Sequence, residues 1–348
     1  MPVAQAHDFF FQWHLTERCN LSCTHCYQDG RGAYEIPLSG IREVIGEISD
    51  MLRGWSETYG ISLSPGLNIT GGEPFLRSDF REILEALSGR GFEIHILSNG
   101  TLIDKERAGT LAGLDVKGVQ VSIEGPGDVH EAVRGRGSFD AAVNGVRNLL
   151  DSGLDVALNI TLSELNADCF AEMVSLSLSL GVHKLGFSRL VPSGRGAAML
   201  GRMLGKEKVK STYAGIFSME TNGLKIVTGD PVASQMFSSP DTGADVSTPA
   251  GGCAAGISGM TLLADGTVVP CRRLPIPLGN VQRDSLREIW AASPVLERLR
   301  DKSAYNGRCG KCTRWANCRG CRAIAYAVSR SAGGDDFLAD DPQCFFEV

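Results

Sequence analysis

The chain has 348 residues, of which 43% are hydrophobic and 21% charged, and its formal net charge is −6. This composition excludes a disordered chain, and the length allows one large domain or two, of which we expect two of unequal size. The acidic balance gives no reason to expect a nucleic-acid partner. No apolar run reaches the roughly 18 residues of a membrane span, and the first residues lack a signal-peptide core, so the sequence predicts a cytoplasmic protein without a membrane partner.

The 11 cysteines are the most informative part of this composition. In a reducing compartment, an odd number of cysteines in clustered spacings favours metal ligation or catalysis over disulfide bonds. Residues 296–330 also hold nine Lys or Arg against two acidic residues. A basic segment threaded with cysteines suits anionic metal clusters, although a solvated basic face would have the same composition.

Short β-like segments alternate with amphipathic helical patterns over the first half of the chain. The predicted strands are Phe9–Leu15, Leu67–Ile69, Glu93–Leu97, Val119–Ile123, Val156–Leu162 and Lys184–Leu190. Apolar residues at helical spacing predict helices at Ile41–Trp55, Phe80–Leu87, Phe139–Leu150 and Cys169–Leu180. The alternation predicts an α/β fold of six βα units with parallel strands, as either an open barrel or a doubly wound sheet.

The second half of the chain breaks this pattern. Residues 193–252 are rich in Gly, Met, Ser and Thr and are interpreted as a bridge or lid. Beyond them we predict short strands at Thr261–Leu263 and Val268–Val269 and one helix at Leu286–Leu299, in a small α+β domain. The predicted division is therefore a barrel at 1–192, a bridge at 193–249 and a cysteine-rich domain at 250–348.

A loop with three cysteines, Cys19, Cys23 and Cys26, follows the first predicted strand. A cubane iron–sulfur cluster takes four thiolates, so three in one loop would leave one iron open to a small molecule. Taken alone, the spacing also fits a zinc site or a loop with incidental cysteines.

The second predicted strand ends in Gly71, Gly72, Glu73 and Pro74. Paired glycines let the backbone approach a ligand closely, and Glu73 offers an acceptor for an ammonium group. Together with the cysteine loop, this motif resembles the radical S-adenosylmethionine (SAM) enzymes. The resemblance implies a partial (β/α)6 barrel, SAM chelated by the open iron of a [4Fe–4S] cluster, and reductive cleavage of SAM to a 5′-deoxyadenosyl radical that abstracts a substrate hydrogen.

The resemblance extends to later strand ends, where the family holds the ribose, carboxylate and adenine of SAM. It implies cofactor-binding roles for His25, Gly71, Gly72, Glu73, Ser98, Asn99, Ser122, Arg134 and Leu190. Ordinary turn and cap chemistry would explain several of these residues equally well. No binding role is assigned to Glu124, since a carboxylate at this position could face solvent. We interpret Cys169, inside a helical pattern, as a buried core thiol.

Seven cysteines in the last hundred residues resemble the SPASM extension of radical SAM enzymes, which holds two auxiliary [4Fe–4S] clusters. The resemblance assigns Cys253, Cys271 and Cys321 to the nearer cluster, and Cys309, Cys312, Cys318 and Cys344 to the outer one. Only two residues separate Cys318 from Cys321, where the family has three, so a single auxiliary cluster or a zinc site stays an alternative.

The segment from Cys318 to Cys344 resembles both the peptide maturases that form cofactors and the tetrapyrrole enzymes. Because many relatives modify ribosomally made peptides, we expect a precursor peptide as substrate. Its leader would be recognised by a separate protein or by the barrel and bridge, and a ferredoxin or flavodoxin would supply electrons. Arg272 stands where sulfatase maturases have an acidic residue, which disfavours that activity and makes Arg272, with Arg189 and Arg195, a candidate substrate contact. The catalytic residues stay unassigned, and the alternatives are tetrapyrrole tailoring, maturation of a metalloenzyme or a non-catalytic electron-transfer protein.

Overall fold

The computed structural model describes residues 6–29, 34–114, 116–236 and 248–347. The strands are β1 (Ala6–His14), β2 (Ser62–Thr70), β3 (Glu93–Ser98), β4 (Gly118–Ser122), β5 (Asp155–Leu162), β6 (Lys184–Arg189), β7 (Lys225–Val227), β8 (Gly259–Leu262), β9 (Thr267–Val269) and β10 (Gly279–Asn280). The helices are α1 (Leu38–Tyr59), α2 (Phe80–Leu87), α3 (Lys105–Gly113), α4 (Gly127–Arg134), α5 (Ser138–Asp151), α6 (Phe170–Leu180), α7 (Lys206–Ser218), α8 (Leu286–Ala292), α9 (Pro294–Arg300), α10 (Gly307–Lys311) and α11 (Arg322–Ser331). Among these helices, none is long and apolar enough to cross a membrane.

One sheet runs through both halves of the chain, in the order β10-β9-β8-β1-β2-β3-β4-β5-β6-β7. Strands β1 to β7 are parallel neighbours in chain order, and the sheet they form is not closed. This arrangement confirms the predicted partial (β/α)6 barrel, which we call the half-barrel. Strand β8 pairs in parallel with β1, while β9 and β10 add antiparallel pairs. The predicted cysteine-rich region thus contributes three strands to the sheet of the barrel.

Alternating side chains on the strands separate the core from the concave face. On β5, Val156, Leu158 and Ile160 are buried, whereas Asn159 and Thr161 point to the opposite side and line a cavity. The helices cover the outer face with apolar stripes such as Ile45, Ile48 and Leu52 of α1. Because the carboxyl ends of parallel strands meet at one edge, the loops after β1 to β6 gather around the mouth of the concave face.

Two parts of the second half differ from the sequence prediction. The helix expected at Leu286–Leu299 is two helices, α8 and α9, since Pro294 lacks an N–H donor and disfavours helical geometry at Ser293. The predicted bridge is more regular than expected, because it contains α7 and then β7, which extends the sheet. Residues 237–247 of this bridge lie outside the described residues.

Candidate active site

The cysteine loop after β1 is held against the loop after β2 by backbone contacts. The N–H of Gly72 donates to the carbonyl of Thr16 (2.8 Å), and that of Glu73 to the carbonyl of Arg18 (2.8 Å). A Cβ atom on Gly71 would lie 2.5 Å from the Thr16 carbonyl oxygen, and one on Gly72 would lie 2.2 Å from that of Arg18. The paired glycines are therefore required for the close packing of these two loops.

Glu73 lies behind the cavity wall, with its carboxylate bonded to the loop after β3. Its oxygens accept hydrogen bonds from the Ser98 hydroxyl (2.8 Å) and the Asn99 N–H (2.8 Å). Burial raises the pKa of Glu73 to about 7, although these two donors act in the opposite direction. The carboxylate thus fixes Ser98 and Asn99, both of which line the cavity, whereas Glu73 and Leu190 do not.

Glu124, to which no role was assigned from the sequence, is the centre of a buried network and does not face solvent. Its carboxylate lies 3.2 Å from Nε2 of His25, accepts from Nε of Arg134 (3.0 Å) and accepts from the Thr161 N–H (2.7 Å). Burial alone would raise the pKa of Glu124, but Arg134 and His25 hold it well below its usual range. This role could not be predicted from the sequence, because the three partners of Glu124 come from separate elements.

Two groups of this network, the His25 ring and the Arg134 guanidinium, belong to residues that line a cavity with the cysteines of this loop. Nη1 of Arg134 lies 3.8 Å from Sγ of Cys23, so a guanidinium is present beside a thiol of the loop. Nδ1 of His25 is buried and has no hydrogen-bond partner among the described residues. A buried polar atom without a partner is costly, and it fits a site that receives a polar ligand.

The cavity at the mouth of the half-barrel has a volume of about 130 Å³. It brings together most of the predicted SAM-binding and cluster residues, namely Cys19, Cys23, His25, Cys26, Gly71, Gly72, Ser98, Asn99, Ser122 and Arg134. Three thiols together with amide, hydroxyl and guanidinium groups in one cavity fit an iron–sulfur cluster beside a zwitterionic nucleoside such as SAM.

A second cavity of about 440 Å³ adjoins the first and is lined by Cys253, Cys271 and Cys321. The two cavities share walls made by Gln120, Asn159, Ser188, Arg189, Arg272 and Arg273. The three thiols predicted for the nearer auxiliary cluster therefore face the same space as the concave side of the barrel. Among the described residues, no three His, Cys, Asp or Glu side chains are close enough to share a single metal ion.

The four remaining thiols of this region, Cys309, Cys312, Cys318 and Cys344, line one small pocket with Trp315 and Phe346. Nη2 of Arg322 lies 3.8 Å from Sγ of Cys309. Burial raises the pKa of Cys318 to about 12, so its thiol stays protonated at neutral pH until a metal replaces the proton. This pocket has the composition of an enclosed cluster site.

The short spacing between Cys318 and Cys321 has a structural explanation. Arg319 (φ 62°) and Gly320 (φ 60°) both adopt the left-handed conformation, which turns the chain so that the two thiols enter different cavities. A non-glycine residue in this conformation costs about 1–2 kcal/mol, and the Arg319 guanidinium offsets it by donating to the carbonyls of Ala316 (2.7 Å) and Cys253 (2.7 Å). Two residues therefore suffice to separate the two sites.

Arg189 is not available to a substrate, contrary to the sequence-based suggestion. Its guanidinium is buried and donates to Asp230 (2.7 Å) and to both oxygens of Asp341 (2.9 and 3.0 Å). Asp341 also accepts the N–H of Cys321 (2.8 Å). The end of β6 is thus joined to the turn that presents an auxiliary thiol.

Cys169 lies apart from these sites and is half-buried, not in the core as predicted. It ends a short 3₁₀ turn directly before α6, where Ala167 and Phe170 occupy the inward positions.

Comparison with known proteins agrees with this arrangement. The profile of the radical SAM superfamily matches residues 13–176, and that of SPASM, an iron–sulfur cluster-binding domain, matches residues 253–322. The chain is 30% identical to the mycofactocin maturase MftC of Mycolicibacterium smegmatis, with 95% of this chain and 81% of the relative covered. It is 29% identical to the AdoMet-dependent heme synthase of Nitratidesulfovibrio vulgaris, with 96% and 91% covered.

Two solved structures share the fold at low sequence identity. Streptococcus suis SuiB bound to precursor peptide SuiA aligns with a TM-score of 0.74 at 15% identity, covering 99% of this chain and 77% of SuiB. The structure of anSMEcpe with bound AdoMet and Cp18Cys peptide aligns with a TM-score of 0.72 at 18% identity, covering 97% and 94%.

The half-barrel and its three groups of thiols define an iron–sulfur enzyme that works on a small bound cofactor. The chain belongs to the radical SAM superfamily and carries a SPASM domain. Its cofactors are therefore SAM and [4Fe–4S] clusters.

Proposed function

We propose that this radical SAM enzyme modifies a ribosomally made peptide by activating a C–H bond, as in crosslink formation. The observation that carries the proposal is the 30% identity over 95% of the chain to a mycofactocin maturase. The likeness of fold to SuiB in its complex with a precursor peptide is consistent with it.

The site residues divide into three groups in this proposal. Cys19, Cys23 and Cys26 hold the cluster that binds SAM; Cys253, Cys271 and Cys321 hold the nearer auxiliary cluster; and Cys309, Cys312, Cys318 and Cys344 hold the outer one. The thiols of the first group line one cavity and those of the second group line the adjoining cavity, which supports the first two groups. The common pocket of the last four thiols supports the third group.

The residues of the chain would orient SAM and keep water away from the reaction. The electron that cleaves the sulfur–C5′ bond comes from the cluster when it is bound, and the resulting carbon radical takes a substrate hydrogen. Glu73 fixes Ser98 and Asn99 against the cysteine loop, while Glu124 holds His25 and Arg134 at the cavity. Fixed polar groups of this kind hold reactants in line without rearrangement during the reaction.

The proposal is tested by incubating reconstituted enzyme with SAM, a reductant and the short peptides encoded near its gene. The expected products are 5′-deoxyadenosine and a modified peptide. The mass of this peptide should differ from that of the substrate by the loss of hydrogen atoms, or by the loss or gain of a chemical group. Cleavage of SAM that never leads to a modified peptide, with any of these candidates, would contradict the proposal.

Tetrapyrrole tailoring is the second candidate function. The 29% identity over 96% of the chain to an AdoMet-dependent heme synthase favours it. Turnover of a propionate-bearing tetrapyrrole, in the absence of turnover of any peptide, would establish this alternative.

The remaining expectations concern organisation and partners. We propose a barrel at 1–192, a bridge at 193–249 and an auxiliary-cluster domain at 250–348, and the two profile matches at 13–176 and 253–322 support this division. We also propose that a ferredoxin or flavodoxin supplies electrons, that a separate protein recognises the peptide leader, and that the enzyme acts in the cytoplasm.

A further inference from the structure

The arginines around the two joined cavities are unequally neutralised. Arg134 is paired with Glu124, and Arg189 with Asp230 and Asp341. By contrast, within the described ranges no carboxylate oxygen lies within 4.0 Å of a guanidinium nitrogen of Arg195, Arg272 or Arg273. The lining of the first cavity holds no acidic residue of the described chain, and that of the second holds only Asp230, which Arg189 already binds.

The positions of the three unpaired arginines differ. Nε of Arg195 donates to the carbonyl of Cys23 (3.3 Å), which places it at the cysteine loop, where SAM brings one carboxylate. Arg272 and Arg273 follow Cys271 and form part of the wall common to both cavities. The Arg272 guanidinium lies over the Tyr27 ring, 5.5 Å from its centre. Buried Nε of Arg273 has no hydrogen-bond partner in the part of the chain that the structure describes.

This excess of positive charge lies in a protein of net charge −6. The carboxylate of SAM can neutralise one of these three guanidinium groups. For the other two, the auxiliary thiolates are the remaining source of negative charge among the described residues. Arginine is suited to bidentate recognition of carboxylates, and such bonds strengthen in a cavity shielded from water. A substrate that reaches between the two cluster sites would lie beside these two groups.

We infer that Arg272 and Arg273 form a carboxylate-binding subsite, and that the substrate carries a carboxylate near the C–H bond that reacts. This inference rests on the proposed function, whose substrate it narrows to a peptide with a free C-terminus or an acidic side chain at the modified position. It also applies to the propionates of a tetrapyrrole.

The test uses the holoenzyme, its Arg272→Gln and Arg273→Gln variants, and Arg283→Gln, an exposed arginine outside both cavities, as the matched control. Iron content of each variant is measured first, and the lysine variant of the same arginine, Arg272→Lys or Arg273→Lys, replaces a glutamine variant that loses iron. A co-encoded peptide that is turned over is resynthesised with each carboxylate in turn as a carboxamide. Deuteroporphyrin IX and its dimethyl ester serve as tetrapyrrole probes in a fluorescence binding assay.

For the wild type, we expect the KM of one carboxamide peptide to exceed that of the acid by about tenfold to a hundredfold. In the glutamine variants, the KM of this carboxamide should be no higher than in the wild type. Equal KM values for acid and carboxamide would overturn the inference while the proposed function stood. Binding of deuteroporphyrin but not its ester, lost in both variants and without peptide turnover, would support the subsite and refute the peptide. Failure of the enzyme both to turn over peptides and to bind the porphyrin would overturn both.

Discussion

The Glu124 carboxylate holds two cationic side chains at the cavity, and replacing it would leave a buried guanidinium without its counter-ion. We expect Glu124→Gln to lower the free energy of unfolding by about 3–5 kcal/mol, the usual cost of breaking a buried ion pair from one side. SAM cleavage should fall with it, because His25 and Arg134 lose their common support. Anaerobic urea unfolding and 5′-deoxyadenosine assays measure the two effects.

Glu164, which is exposed, provides the matched control for this change. Glu164→Gln should leave both measurements within error of the wild type. A stable, fully active Glu124→Gln enzyme would show that the network is not needed to hold the site.

His130 gives the chain a pH-dependent stability. Burial and the nearby Arg134 lower its pKa to about 4, and its Nδ1 accepts the N–H of Glu124 (3.2 Å). The unfolded chain takes up the proton near pH 6.5, whereas the folded chain does not, so stability is lost as pH falls below 6.5. Relative to His130→Gln, the wild type should lose about 1 kcal/mol between pH 6.5 and 5.5.

The measurement is urea unfolding of the reconstituted protein at several pH values in this window. His183, an exposed histidine, is the control, and His183→Gln should show no such slope relative to the wild type. A flat difference between wild type and His130→Gln would contradict the assignment of a lowered pKa.

At the scale of elements, the contact between β6 and the C-terminal segment depends on one carboxylate. Asp341 binds the buried Arg189 guanidinium and also accepts the Cys321 N–H. We expect Asp341→Asn to lower the free energy of unfolding by about 2–4 kcal/mol and to weaken iron retention at the nearer auxiliary site. Asp335→Asn, which changes an exposed ion pair with Arg330, should alter neither.

The elements that the sequence predicted well are those with a local signal. Alternating apolar residues marked β5, and the helix at Phe80–Leu87 was predicted with its observed bounds, since its stripe is regular. The bridge helix α7 was missed because its polar, glycine-containing neighbourhood resembles a loop. The central role of Glu124 and the pairing of Arg189 with Asp341 could not be predicted, because both depend on contacts between segments far apart in the chain.

At the scale of the whole molecule, the grouping of thiols predicts how much iron the chain binds. Three cubane clusters require about 12 irons per chain, and loss of the outer cluster leaves about 8. We expect Cys344→Ser to reduce the iron content by about 4, since Cys344 lines the pocket of the outer group only. Anaerobic iron and sulfide analysis measures this change.

Cys169→Ser is the control for the iron measurement, because Cys169 lies outside all three groups. Its iron content should equal that of the wild type. A wild-type chain that binds zinc in its last hundred residues and only about 4 irons would contradict the assignment of auxiliary clusters.

The pairing of β8 with β1 has a consequence for how a substrate reaches the reaction space. Phe10 to Trp13 of β1 are in register with Gly259 to Leu262 of β8, so the strand leading to the radical-forming loop and the strand between Cys253 and Cys271 form one hydrogen-bonded ladder. A hinge that swung the auxiliary region away from the barrel would have to break this ladder. We therefore expect the distance between the two sites to stay constant through the catalytic cycle. Entry of the substrate would then depend on movements of loops alone.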